Sequence, residues 1–144
     1  GVIAAVGSRL RDVFGSEVSS ASVIIMSTVG VLSSTVPNIP LVVAMVPIVR
    51  QYATSQGWAT AAQLAAGYGQ IPGQVLPLFY AMMFGATLGG NGTIFGASSN
   101  IIAAGICLRE GRPLGYVEFA RYGIPVVIVQ LIVSAIYIKL RFLR

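Results

Sequence analysis

Histidine is absent from this 144-residue sequence, and cysteine occurs once, as Cys107. A disulfide within the chain is excluded, as is a histidine-based metal or catalytic site. Acidic residues are nearly as scarce: Asp12, Glu17, Glu110 and Glu118 are all there are. None lies inside an apolar tract, so the chain holds no membrane-embedded carboxylate for a proton relay. No base stands beside any serine or beside Cys107, which removes the usual nucleophilic and acid–base arrangements. The chain is therefore read as not an enzyme, with no metal and no cofactor. Cys107 falls in the apolar stretch 101–108, where a buried, inert thiol is expected.

Charge of either sign is sparse, 9% of residues against about 25% in an ordinary soluble domain. Its placement matters more than its amount. No charged residue lies in the 32 positions between Glu17 and Arg50, in the 58 between Arg50 and Arg109, or in the 17 between Arg121 and Lys139. An ionised side chain at the centre of a membrane helix costs about 2.5–3.5 kcal/mol even on lenient scales. Tracts of this kind are read as membrane-embedded, in a chain that is 56% hydrophobic. The net charge of +5 comes from basic residues at the edges of the tracts. That placement suits lipid headgroups better than nucleic acid. An integral, multi-pass protein of the cell membrane is expected.

The tract 18–49 would be about 48 Å long as one helix, against a hydrocarbon core of about 30 Å. It is too long for one span and too short for two. Its middle reads Ser33-Ser34-Thr35-Val36-Pro37-Asn38-Ile39-Pro40, which stops one helix and starts another. The expected pieces are 23–35 and 41–49, with Asn38 as the second cap. Two short helices meeting at a polar tip make a re-entrant hairpin over 18–50. The competing reading is a single proline-kinked span.

Residues 51–75 are uncharged but polar and are read as a surface connection. Trp58 and Tyr68 suit the headgroup interface, and 60–66 are expected to be helical. Residues 76–108 read as one crossing broken at Gly89–Asn100. Glycines end its first half, and Ser98, Ser99 or Asn100 cap the second. Irregular backbone at membrane depth is tolerated only inside protein or against a watery cavity, so the break is a candidate site. A charged loop comes next at 109–121, then a last span at 122–140. Arg109, Arg112 and Arg121 before that span balance Lys139, Arg141 and Arg144 after it, so charge does not orient it. The opening stretch, 1–17, reads as the end of a membrane helix and a loop after it. The chain is expected to be part of a longer protein.

Gly85–Thr93, GATLGGNGT, lacks the lysine of a phosphate loop. Asn91-Gly92-Thr93 is formally a glycosylation sequon, which a membrane break would not expose. Gly85/Gly89 and Gly92/Gly96 are small-xxx-small pairs that serve helix packing or a site. The polar residues gather at the two breaks: Ser34, Thr35 and Asn38 at one, and Asn91, Thr93, Ser98, Ser99 and Asn100 at the other. Clusters at helix breaks fit a discontinuous-helix binding site. Half-helix N-termini there would favour an anion or oxo-acid, whereas the carbonyl ends would favour a cation.

The run Gly85–Asn100 resembles the GGNGT-xx-GAS-x-N signature of the ion transporter superfamily. Within it, the similar group contains arsenite permeases, NhaD-type sodium–proton antiporters and the melanosomal P protein, with a citrate transporter-like domain. Val36–Pro40 resembles that group's hairpin tip, and Glu118–Pro125 the start of its final span. The resemblance implies an all-α fold of two inverted repeats, each with a re-entrant hairpin and a broken helix. This chain would be the C-terminal repeat, lacking its N-terminal half or pairing as a homodimer.

The resemblance also implies a site between hairpin tip and broken-helix loop, working by an elevator-type motion. Ser34, Thr35 and Asn38 would form the tip; Asn91, Gly92, Thr93, Ser98 and Asn100 would form the loop. Pro37 stands where the group usually has Asp, which favours an anion or neutral oxo-acid over sodium. The expected function is secondary active transport of such a solute, arsenite or a carboxylate for example. The alternatives are a sodium–proton antiporter and a non-transporting membrane subunit.

Overall fold

The computed structural model describes residues 12–65 and 71–142. The readings of 1–11 as a helix tail, and of Tyr68 as an interface residue, lie outside the described residues. All regular structure among them is helical: α1 (Val18–Ser33), α2 (Asn38–Ser55), α3 (Ala61–Ala65), α4 (Leu76–Gly89), α5 (Ser98–Arg109) and α6 (Tyr116–Phe142). Two 3₁₀ turns, Gly90–Gly92 and Ile94–Gly96, lie between α4 and α5.

Helix α1 packs most extensively on α4, far from it in sequence, and only lightly on α2. The residues each helix buries explain the pairing. Helix α1 buries Ala21, Ser22, Ile25, Met26, Val29, Gly30 and Ser33. Helix α4 buries Pro77, Leu78, Ala81, Met82, Gly85, Ala86 and Gly89. Both sets recur every fourth residue, so each forms one stripe along its helix. The helices run in the same direction: Gly85 lies against Met26, Gly89 against Gly30, and Gly92 against Ser34.

The contact depends on missing side chains. A Cβ on Gly85 would sit 2.5 Å from the Met26 carbonyl oxygen, and one on Gly89 would overlap the Gly30 backbone. In lipid, helices associate through such close packing and through hydrogen bonds rather than by the hydrophobic effect. Helix α6 closes the third side. Leu131 lies over Gly30, and Met26, Ala81 and Ile138 form a small core with Phe84, Leu131, Ala135 and Phe142 around it.

A larger core gathers Ile25, Val29, Met45, Val49, Tyr52, Leu64, Val75, Leu78 and Met82. Tyr52 anchors it, with its hydroxyl donating to the Gly15 carbonyl at 2.6 Å and its ring edge-on to Phe14 and Trp58. Trp58 is thus half-buried protein packing rather than wholly an interface residue.

Helices α2 and α5 end in the same way. The α2 end has Gly57 at φ +73°, with Gly57 N–H on the Thr54 carbonyl and Trp58 N–H on that of Ala53. The α5 end has Gly111 at φ +72°, with matching bonds to Leu108 and Cys107. This is the left-handed glycine stop that satisfies the last carbonyls.

Several boundaries differ from the sequence reading. The first two helices have 16 and 18 residues, about 24 and 27 Å, longer than the expected pieces. Pro47 lies inside α2 and does not end it. Asn38 is the first residue of α2 rather than its cap; Pro37 holds that position, with no side-chain bond. The last helix starts at Tyr116, not 122, because Glu118–Arg121 extend it as an additional polar turn. Helix α6 is long and apolar enough to cross a membrane, with a mean hydropathy of 2.1 over its most apolar window. Helix α5 buries none of its residues, and Cys107 is only half-buried.

Replacing Gly89 by Ala should destabilise the full-length protein by at least about 1–3 kcal/mol through overpacking. Gly105→Ala, in open space on α5, should leave it unchanged or slightly more stable. Thermal unfolding in detergent micelles distinguishes them; equal melting temperatures would refute the close crossing.

Candidate functional site at the two helix breaks

Because α1 and α4 run in parallel, their C-terminal ends arrive side by side. The breaks just beyond them, Ser34–Pro37 and Gly90–Ala97, are thereby in contact. Side chains of the first turn onto the backbone of the second. Ser33 Oγ donates to the Ala86 carbonyl at 2.5 Å. Ser34 Oγ reaches the Gly89 carbonyl at 3.0 Å, and that of Gly30 in its own helix at 3.1 Å. Thr93 Oγ1 donates back to the Ser34 carbonyl. Carbonyls in the last turn of α4, which lack intrahelical partners, thus accept from the serines at the end of α1, while the last carbonyls of α1 are met by the N–H groups of its own turn, Ser34, Thr35 and Val36.

The loop of the second break folds on itself in the same manner. Asn100 Nδ2 donates to the Gly90 carbonyl at 3.0 Å and to the Thr93 carbonyl at 2.9 Å. One amide group holds both 3₁₀ turns against the start of α5. The sequence reading makes Asn100, Ser98 or Ser99 the helix cap. The N-cap is Ala97 instead, with no side-chain bond, because the Asn100 amide points back into the loop. Helix α4 ends at Gly89, among the glycines expected to stop it, but without a left-handed cap. Gly90 has φ −58°, an ordinary right-handed value, and Gly90 and Gly96 lie backbone to backbone.

Helix α6 covers the break from one side. A Cβ on Gly123 would lie 2.6 Å from the Asn91 carbonyl and 2.8 Å from that of Gly92. Val127 lies near Gly92, and the Asn91 amide donates to Gln130 Oε1 at 3.4 Å. Gln130 is absent from the residues that sequence reasoning singles out. A signal exists: it is the one amide within the uncharged tract 122–138.

The expected site residues therefore divide. Ser34, Asn91, Gly92, Thr93 and Asn100 are in one hydrogen-bonded and packed cluster. Gly92 and Thr93 are buried, Ser34 and Asn100 half-buried, and Asn91 exposed. Thr35 is exposed and bonds only to Leu32 of its own helix. Ser98 is exposed at the start of α5. Asn38 faces elsewhere, into an apolar groove of about 650 Å³ between α2 and α4 that it lines with Val42, Val46, Phe79, Met83 and Thr87. Gly85 and Gly89 serve helix packing. Among the described residues, no three His, Cys, Asp or Glu side chains gather as a metal site.

The chain matches the citrate transporter family over residues 1–144. It is 55% identical to an uncharacterized transporter of Synechocystis over 139 residues, covering 96% of this chain and 31% of that relative. An uncharacterized transporter of Mycobacterium tuberculosis is 32% identical over 142 residues, covering 99% of this chain and 30% of its own length. The human P protein is 33% identical over 119 residues, covering 83% of this chain and 13% of that protein. The chain thus spans less than a third of the length of these relatives. No solved structure matches it. These relationships agree with the resemblance carried by Gly85–Asn100.

Asn100→Ala should cost about 1–3 kcal/mol, since it leaves the Gly90 and Thr93 carbonyls without their donor. Asn100→Asp should cost at least as much, because an ionised carboxylate only accepts hydrogen bonds. Ser98→Ala should change stability by less than about 0.5 kcal/mol. Melting curves of the three variants in detergent test this ordering; a harmless Asn100→Asp would contradict the clamp.

Proposed function

Since the chain belongs to the citrate transporter family, we propose that it forms part of a secondary active transporter for an anion or oxo-acid, a carboxylate or arsenite for example. The solute binds at the two apposed breaks. The surrounding wall comes from the rest of a longer protein, or from a second copy. The protein is integral to the membrane and performs no covalent chemistry.

One observation carries the preference for an anion. Five backbone carbonyl oxygens around the breaks already accept from protein side chains, which makes them weaker cation ligands: Ala86 from Ser33, Gly89 from Ser34, Ser34 from Thr93, and Gly90 and Thr93 from Asn100. The outward side of the breaks is rich in donors. Helices α2 and α5 begin without a side-chain cap and without an acidic residue in the first turn. Their positive dipole ends are not neutralised locally, which favours a negative charge nearby. The exposed Asn91 amide and Ser98 hydroxyl add neutral donors.

In this reading the eight residues have two roles. Ser34, Gly92, Thr93 and Asn100 hold the frame. Asn91, Thr35, Asn38 and Ser98 meet the solute as it enters or binds. A sodium–proton antiporter is the weaker reading, because it needs free carbonyl or carboxylate oxygens at this place.

The test uses the full-length protein in sealed vesicles, with citrate, arsenite, inorganic phosphate and Na⁺ compared in parallel. Uptake or efflux of at least one anion or oxo-acid is expected. Asn91→Ala should reduce it about tenfold or more while the protein remains folded. Sodium–proton exchange with no movement of any of the other solutes would overturn the assignment.

A further inference from the structure

Gln130 sits in the middle of α6, the helix long and apolar enough to cross a membrane among the described residues. A carboxamide left unpaired in an apolar environment is strongly unfavourable. Isoleucine or valine at this position would avoid that cost, and both are abundant on the same helix. The position is therefore expensive unless the amide meets something polar.

Its location supplies the partner. Gly123, Val127, Gln130 and Ser134 are spaced by four, three and four residues, so they lie along one face of α6. Gly123 and Val127 on that face touch the broken-helix loop at Asn91 and Gly92. Gln130, one turn further along, accepts the Asn91 amide at 3.4 Å. This bond is long and uses only part of the capacity of either group. Both N–H groups of Gln130, and the second of Asn91, donate to no other described residue. Asn91 is exposed and Gln130 half-buried, so the pair is accessible from outside the cluster.

Resting on the anion reading above, we infer that Gln130 is a substrate-contacting, specificity-determining residue of this site. It works with Asn91 as a pair of carboxamides from two different elements, one on the broken-helix loop and one on the last span. Solute oxygens accept from the N–H groups of the pair, and the weak Asn91–Gln130 bond opens or adjusts to admit them. The pair is uncharged, so its strength depends on how many oxygens the solute presents and how they are spaced. It therefore discriminates among anions by shape rather than by charge alone. A purely structural amide would stabilise the α6–loop contact and treat all solutes alike.

The experiment uses the full-length protein in vesicles, with initial rates measured for each anion that the wild type carries and for citrate, arsenite and phosphate in competition. Gln130→Leu removes the donors at similar size; Gln130→Glu keeps the length but replaces donors by acceptors; Gln130→Asn keeps the chemistry on a shorter arm. Val133→Ala, on the exposed side of α6, is the control. Gln130→Leu is expected to raise KM about tenfold with kcat changed less than about threefold, the size of a lost hydrogen bond to a charged partner. Gln130→Glu should raise KM further, and Gln130→Asn should restore part of the affinity with an altered order of preference among the anions.

Unchanged KM and preference in Gln130→Leu, or an equal loss of kcat for every solute, would overturn the inference while leaving anion transport standing. Exchange of Na⁺ for protons with no transport of anion or oxo-acid by the wild type would overturn both.

Discussion

Helices α1 and α4 touch backbone to backbone at Gly30, Gly85 and Gly89, and the rest of the arrangement depends on that approach. In an apolar solvent no hydrophobic force gathers helices, so association falls to packing and to polar contacts. The glycines allow the first, and the serines just beyond them supply the second. Ser33 and Ser34 reach the Ala86 and Gly89 carbonyls only because no side chain intervenes. Once these ends are joined, two stretches of irregular backbone become one polar cluster. Each supplies the partners that the other lacks, which is the condition for keeping such backbone away from water.

The same economy of donors sets the character of the cluster. Serine, threonine and asparagine side chains are spent on backbone carbonyls, so the irregular backbone of the cluster is satisfied from within. A few hydroxyls and one amide thus hold the cluster together without any charged residue. Helix α6 then adds a third wall through Gly123, which admits the loop closely, and Gln130, which meets Asn91. Helix α5, by contrast, presents Ile101, Ile102, Ile106 and Leu108 outward. Its apolar surface suits lipid or a further part of a longer protein.

The breaks are legible in the sequence because proline and glycine act locally. Pro37, with Pro40 in the first turn of the helix it precedes, and the run Gly89–Gly92 mark the ends of helices. The polar residues of the cluster are legible for a related reason, since they stand out against charge-free tracts. The pairing of helices cannot be read locally. The turn at Ser34–Pro37 joins α1 to α2, so a hairpin of those two is the natural expectation, yet α1 packs mainly on α4. That choice depends on matching stripes of small residues more than fifty positions apart. Asn38 shows the same limit: three residues beyond Thr35, it turns into the α2–α4 groove. Asn100 looks like a cap by its position, but the loop carbonyls have the stronger claim on its amide.

The parallel alignment also constrains how this region can change length. Ser34 lies four residues beyond Gly30, and Gly92 three beyond Gly89. An inserted residue between Gly30 and Ser34 would rotate the downstream residues by about 100° and advance them about 1.5 Å along the axis. The serines would then face away from their carbonyls although every residue of the cluster was still present. Substitutions there can be absorbed one at a time. An insertion or deletion between Gly30 and the first break cannot, so the length of that short interval is as much a part of the candidate site as the side chains at its end.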